Sequence, residues 1–239
     1  MRKVVGLHSV REAMNIRPKA IAKILLKQGW EKSQDLNQIA ELAGRIGAKI
    51  RTVGIAELDQ LSHGHQGVGA EVLETPEINW SAIEKSTHSI LLGLDGIEDP
   101  QNLGGVIRSA WIFGASGILL PSSRAISMTP VVAKVASGGA EHIPLEIHAN
   151  LQTPLTHLKN KGFWIFALSE KAEKTIWDLK IPEKIVWVVG AEGSGVRKST
   201  LSACDELVTI PQNFKGASLN AAVSAAIALA ETQRQWHTS

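Results

Sequence analysis

Ile185-Val186-Trp187-Val188-Val189-Gly190-Ala191-Glu192-Gly193-Ser194-Gly195 is the stretch on which the fold turns. Five apolar residues leave no polar face, and a glycine-rich turn comes directly after them. Such a short, fully apolar run suits a strand buried on both sides of a parallel sheet. Working outward, the runs at 90–94, 117–120, 163–168 and 207–210 read the same way, bounded by Gly, Pro, Ser or charge. Helix-like stretches lie between them at 101–113, 130–136, 151–160, 198–203 and 218–233. Alternating strands and helices predict an α/β domain with a mainly parallel sheet. Ligands are then expected beyond the carboxyl ends of its strands.

Upstream, residues 7–14 predict a short helix, 21–26 a strand, and 33–46 a helix with Ser33 as its N-cap. Residues 49–53 and 68–73 predict two more strands, and Ser62-His63-Gly64-His65-Gln66-Gly67 a loop. This is a small α/β module of its own. The polar seam at Glu74-Thr75-Pro76-Glu77-Ile78-Asn79-Trp80 separates it from the strands downstream. The expected division is therefore 1–74 as the N-terminal domain, 75–86 as linker and 87–239 as the second domain.

The 239 residues are 44% hydrophobic and 20% charged, which argues against wholesale disorder. One cysteine, Cys204, excludes a disulfide framework and a multi-cysteine metal site. The longest apolar stretch, residues 219–230, falls short of the ~20 residues of a membrane span. A soluble cytoplasmic protein is expected. The net charge of +2 hides an uneven distribution: residues 1–60 carry eleven Lys/Arg against six Asp/Glu, whereas 61–100 carry one Lys against seven acids. A binding face needs clustered rather than excess charge, so a nucleic-acid partner is allowed.

Three segments carry the chemistry. In Asp95-Gly96-Ile97-Glu98-Asp99-Pro100-Gln101-Asn102-Leu103-Gly104-Gly105-Val106-Ile107-Arg108, Asp99-Pro100 marks a helix start, and Asn102, Gly105 and Arg108 recur every three residues, as if on one helical face. Glycines at 104 and 105 cost about 1 kcal/mol each against alanine inside a helix, a cost accepted where a backbone or ligand must come close. In Gly190–Gly195 the spacing G-x-x-G-x-G is neither a dinucleotide fingerprint nor a P-loop, and Glu192 would repel a pyrophosphate. The ligand there is not held by phosphates. In Ile210-Pro211-Gln212-Asn213-Phe214-Lys215-Gly216-Ala217-Ser218-Leu219-Asn220, Ser218 is placed to cap the final helix and Asn220 to lie in its first turn. Taken singly, each segment also reads as plain capping or turn chemistry.

Together, N-x-x-G-x-x-R-x-A at Asn102–Ala110, G-x-E-G-x-G at Gly190–Gly195 and I-P…S-L-N at Ile210–Asn220 resemble the SpoU branch of the SPOUT (TrmH-like) RNA 2′-O-ribose methyltransferases. Gly6-Leu7-His8-Ser9-Val10-Arg11-Glu12-Ala13 and His65-Gln66-Gly67-Val68 are similar to the substrate-binding domain of the RlmB-type enzymes. The resemblance implies a mainly parallel α/β domain with a deep C-terminal trefoil knot, plus a small N-terminal α/β (L30e-like) RNA-binding domain. It implies S-adenosyl-L-methionine as cofactor without a metal, a homodimer whose partner completes each site, and methylation of a guanosine 2′-hydroxyl in 23S ribosomal RNA. Transfer RNA as substrate, or a non-catalytic role in RNA binding or ribosome assembly, are the alternatives.

Carried over by position, Arg108, Asn102, Glu192, Ser218 and Asn220 are the expected catalytic residues, with Asn102 and Glu192 fixing the Arg108 guanidinium. Leu168, Gly190, Ala191, Gly193, Ile210, Gln212 and Leu219 are expected to hold the cofactor. Arg2, Lys3, Arg11, Lys27 and His65 are expected to meet RNA. The sequence departs from many relatives in having Ala221-Ala222-Val223-Ser224 after Asn220 and Gln212 after Ile210-Pro211.

Overall fold

A computed structural model describes residues 1–123, 126–214 and 218–238. The chain forms two compact units, Met1–Pro76 with Ser127–His142, and Glu77–Ile126 with Ile143–Ser239.

In the first unit, β1 (Arg2–Val5), α1 (Leu7–Ile16), β2 (Ile21–Lys27), α2 (Gln34–Arg45), β3 (Lys49–Val53), α3 (Ile55–Asp59) and β4 (Val68–Val72) succeed one another. Their sheet has the order β1-β4-β2-β3, with β4 antiparallel to both neighbours and β2 parallel to β3. In α2 the buried residues are Leu36, Ile39 and Ala43, three and four apart, so one apolar stripe faces the sheet. Ser33 stands at its N-cap position but makes no side-chain cap bond. Val10, Ala13 and Met14 of α1 join Val4, Ile24, Leu26, Val68 and Ala70 in one core. Strand β1 and helix α3 were not expected from the sequence. Arg2-Lys3-Val4-Val5 is too short to declare itself, and its pairing with β4, some seventy positions away, makes it a strand.

A segment from far downstream completes this unit. Its helix, Pro130–Val135, is capped by the Thr129 hydroxyl, which accepts from the Val132 amide at 3.2 Å. The buried Ser9 hydroxyl donates to the Ala133 carbonyl at 3.1 Å. Glu141, 1% exposed, takes the Arg2 guanidinium through both carboxylate oxygens and also meets Arg17. The segment thus packs with the N-terminal module, although in sequence it lies among the strands of the second.

In the second unit, α4 (Trp80–Lys85) occupies the span read as linker and buries Ile83. Then come β5 (Ser89–Asp95), α5 (Pro100–Ile112), β6 (Gly117–Pro121), β7 (Leu145–His148), α7 (Gln152–Asn160), β8 (Trp164–Leu168), β9 (Lys184–Gly190), α8 (Lys198–Leu201), β10 (Glu206–Val208) and α9 (Ala221–Thr238), with the Pro130–Val135 helix counted as α6. Six strands pair in the order β10-β8-β9-β5-β6-β7, all parallel. Leu91, Leu119, Ile165, Ala167, Val186 and Val188 face α4 and α7 on one side. The alternate residues face the other, where the Trp187 indole donates to Thr232 of α9 at 2.9 Å. Strand β7 escaped the sequence reading because Leu145-Glu146-Ile147-His148 alternates at a sheet edge instead of forming an apolar run.

Candidate active site

Asp95 and Gly190, the last residues of β5 and β9, are paired in register at the centre of the sheet. Beyond the strand ends, the chain after β9 turns back on itself. The Gly195 amide donates to the Ala191 carbonyl at 2.9 Å, and Gly193 and Gly195 hold φ of 79° and 67°. A Cβ on Gly190 would overlap the Gly195 carbonyl carbon and the Val196 nitrogen. The glycines are therefore required by the turn itself.

This turn walls a cleft of about 270 Å³. All seven residues expected at the cofactor line it: Leu168 at the end of β8, Gly190, Ala191 and Gly193 in the turn, Ile210 and Gln212 after β10, and Leu219 before α9. Ser218 and Glu192 line it as well. Leu168, Val189, Val196, Leu201 and Ala221 make an apolar floor, while Glu170, Lys171, Thr209 and Ser224 add polar groups not expected there from the sequence. Lys215, Gly216 and Ala217 of the third motif segment lie outside the described residues.

Three distant side chains close on one another beside the cleft. Asn102 Nδ2 donates to Glu192 Oε1 at 3.0 Å, and Asn220 Nδ2 donates to the same oxygen at 2.9 Å and to Asn102 Oδ1 at 2.6 Å. Asn220 Oδ1 accepts from the Ala222 and Val223 amides at 2.9 and 3.3 Å. Asn220, not Ser218, is therefore the cap of α9, which starts three residues later than expected. One amide side chain caps a helix with its oxygen and holds a carboxylate with its nitrogen.

Arg108 does not join the Asn102–Glu192–Asn220 cluster that was expected to fix its guanidinium. Asn102 is buried and faces Glu192, whereas Arg108 is exposed and lines neither this cleft nor its neighbour around Asp95. It has no hydrogen-bond or ion-pair partner among the described residues. At 100° per residue, six positions along a helix leave two side chains about 120° apart, so the three-residue spacing does not keep one face. Gly105 behaves as its cost implied, since a Cβ there would lie 2.9 Å from the Ala222 Cβ of α9.

That neighbouring cleft, of about 450 Å³, shares Ala191, Glu192, Ser194 and Gly195 with the first and is otherwise lined by Asp95, Glu98, Asp99, Asn102 and Arg197 among others. Asp99 caps α5, accepting from the Gln101 amide at 2.9 Å, with Pro100 in the first turn as the sequence suggested. The Cys204 thiol lies under the sheet. Burial, then the neighbouring Asp205, pushes it up to about 12, so at neutral pH it is a neutral packing group.

In the first unit the expected RNA contacts separate. Lys3 is exposed; Arg11 is half-buried and donates to Gln38 at 3.2 Å; the Lys27 stem lies against Gly67. Arg2 is 9% exposed and committed to Glu141. His65 is buried, its Nδ1 accepting from the Gly67 amide at 2.7 Å and its Nε2 3.3 Å from Asp59. Arg2 and His65 thus spend their side chains on contacts within the unit.

With this geometry in place, comparison with known proteins decides the family. Residues 89–230 match the SpoU rRNA Methylase family, and residues 3–76 match the RNA 2′-O ribose methyltransferase substrate binding domain. The chain belongs to the SpoU rRNA methylase family. It is 35% identical to the 23S rRNA (guanosine-2′-O-)-methyltransferase RlmB of Coxiella burnetii, over 98% of this chain and 96% of that protein. It is 34% identical to the protein of the same name from Pseudomonas putida, over 98% and 97%. Among solved structures it resembles the SpoU methyltransferase AviRb from Streptomyces viridochromogenes in complex with AdoMet, with a TM-score of 0.83, 21% identity, and coverage of 99% of this chain and 91% of that one.

In this SpoU chain, Asp95 opens the first motif segment, but neither it nor Arg197 was expected at the site. Asp95 is 1% exposed, and its Oδ2 accepts from the Arg197 amide at 2.9 Å. The Arg197 side chain then meets Asp95 Oδ1 at 3.2 Å and donates to the Ser123 hydroxyl and carbonyl, each at 3.0 Å. The pair ties the end of β5 to the chain beyond the turn. The only signal for Asp95 was its place as the last residue of an apolar strand.

Proposed function

We propose that this protein transfers a methyl group from S-adenosylmethionine to the ribose 2′-hydroxyl of a guanosine in 23S ribosomal RNA. The observation that carries the reading is the convergence of all three motif segments on one cleft at the strand ends, in a chain matching the RlmB proteins over nearly its whole length. The cleft suits the donor chemically. Its apolar floor fits a purine, backbone groups of Gly190, Ile210 and Leu219 are at hand to accept and donate, and Glu170 and Glu192 offer carboxylates to a cationic amino-acid end. When bound, the donor supplies a methyl group made electrophilic by its sulfonium.

The chain's own residues must position the hydroxyl and manage its charge. A 2′-hydroxyl attacks poorly until its proton is leaving. The Arg108 guanidinium, a donor that keeps its charge, orients the hydroxyl and stabilises the alkoxide as it develops. Glu192, held by two amides, keeps the turn and the donor cleft in register with the ribose. Because Arg108 lines neither this cleft nor its neighbour around Asp95, a homodimer in which the partner completes the site is part of the proposal. Ile112, 63% exposed and one turn beyond Arg108, would meet that partner. The C-terminal trefoil knot and a cytoplasmic site of action belong to the same reading; among the described residues no helix is long and apolar enough to cross a membrane. The first unit, with its match to a substrate-binding domain, acts as the RNA reader.

The test incubates purified protein and labelled donor with 23S ribosomal RNA lacking its methyl groups and maps the product. Methylation at one guanosine ribose is expected. Arg108→Ala should abolish transfer while donor affinity, by calorimetry, stays near wild type. Near-normal turnover by that variant would remove Arg108 from the mechanism, and no donor binding with or without RNA would sink the enzymatic reading.

A further inference from the structure

The methyl-transfer reading leaves unused a cleft of about 550 Å³ within the first unit. Lys134, in the last turn of α6, is exposed, and its chain runs across Gly64, where a Cβ would overlap the lysine Cε and Nζ. Four other cations of this unit are matched to carboxylates, Arg2 and Arg17 to Glu141, Lys23 to Glu71 and Arg51 to Glu57. Lys134 has no carboxylate partner among the described residues, and no carboxylate lines the cleft around it. His8 and His63 line it too; a neutral imidazole offers one N–H, and His63 turns its Nδ1 to the Asp59 carboxylate at 3.4 Å, so His8 is the donor left to the cleft.

The backbone adds to this. Helix α1, ten residues long, begins at the cleft with Gly6 in the N-cap position and no side-chain cap, so the positive end of its dipole faces the same space. Gln66 accepts from the Leu7 amide at 3.1 Å. Gln66 and Ser137 are the non-glycine residues at positive φ among those described, at 55° and 52°, and both line this cleft. A cation, the His8 imidazole and a helix N-terminus, with no acid in the lining, select an anion whose oxygens accept hydrogen bonds. The cleft around Asp95 in the other unit is lined by four carboxylates and would repel the same group.

We infer that this cleft docks a backbone phosphate of the RNA substrate, with Lys134 as its cation and His8 as a flanking donor. The inference rests on the RNA-methyltransferase reading. It also explains why a segment from the middle of the chain packs with the N-terminal module: that segment brings the cleft its lysine.

The probe is unmethylated transcribed 23S ribosomal RNA, with binding measured at several salt concentrations for the full chain. Lys134→Ala should weaken RNA binding severalfold and lower the slope of log affinity against log salt by roughly 0.7–1. Lys134→Arg should restore both, and S-adenosylmethionine affinity should be unchanged in each variant. RNA affinity and salt slope equal to wild type in Lys134→Ala would overturn the inference. So would failure of Lys134→Arg to restore binding, because the charge would then not be what matters. In a parallel arm, inorganic phosphate is titrated at millimolar concentration against His8 and His63 resonances. If it binds there while Lys134→Ala leaves RNA affinity intact, the cleft is a free-anion site and the RNA proposal fails. Absence of methylation by the wild-type chain would instead strike the underlying functional reading.

Discussion

Gly190 shows how one atom decides a site. Its Cα lies so close to the returning backbone of Gly195 and Val196 that any side chain must displace the turn, and the turn is one wall of the cleft proposed for the donor. Gly190→Ala should cost stability on the overpacking scale of about 1–3 kcal/mol and lower donor affinity more than tenfold, read by denaturant unfolding and by calorimetry. A variant of normal affinity would mean that the wall is not used. Arg108 behaves differently. Both residues were singled out by spacing, but Gly190 acts through its immediate neighbours in sequence, whereas the surroundings of Arg108 depend on helix rotation and on what packs against α5.

Helix α9 gathers several of these demands. Asn220 caps it, Ala222 admits Gly105 of α5, Thr232 receives the Trp187 indole, and near its end Glu231 is buried. Hydrogen bonds from Arg234, at 2.7 Å on both carboxylate oxygens, hold the Glu231 carboxyl below its ordinary range against the burial that pushes it up. A carboxyl with a lowered value in the folded state binds fewer protons folded than unfolded. Its contribution is therefore complete above the ordinary value of 4.5 and is lost as pH falls through the lowered folded value. Melting temperature should drop less on acidification in Glu231→Gln than in wild type; parallel curves for the two would show that this pair carries no pH dependence. The helix was legible in the sequence as an Ala-rich stretch, but its start was not. Ser218 and Asn220 are both good caps, and the choice fell to Asn220 because its amide nitrogen also reaches Glu192 and Asn102.

At the scale of the molecule, the division into units does not respect the order of the chain. Glu141 is buried and holds Arg2 and Arg17 from the N-terminal end of the sequence. Removing one member of a buried ion pair leaves the others unmatched in a poor solvent for charge, so Glu141→Gln should destabilise the protein by about 3–5 kcal/mol in urea unfolding. An unchanged midpoint would show that water reaches the cluster. By itself the sequence determined the elements that arise from local pattern: the apolar strands, the amphipathic α2, the Asp99-Pro100 helix start, the glycine turn, and the three motifs that place the chain in its family. Those depend on residues within a turn or a strand of one another. Only the tertiary structure decided that β1 is a strand, that residues 127–142 pack with the N-terminal module, that Arg2 and His65 are internal, and that Arg108 stands apart from Glu192. Each of these is a matter of which distant partner neutralises a charge or completes a sheet, and burial and pairing are properties of the packed chain that no local pattern carries.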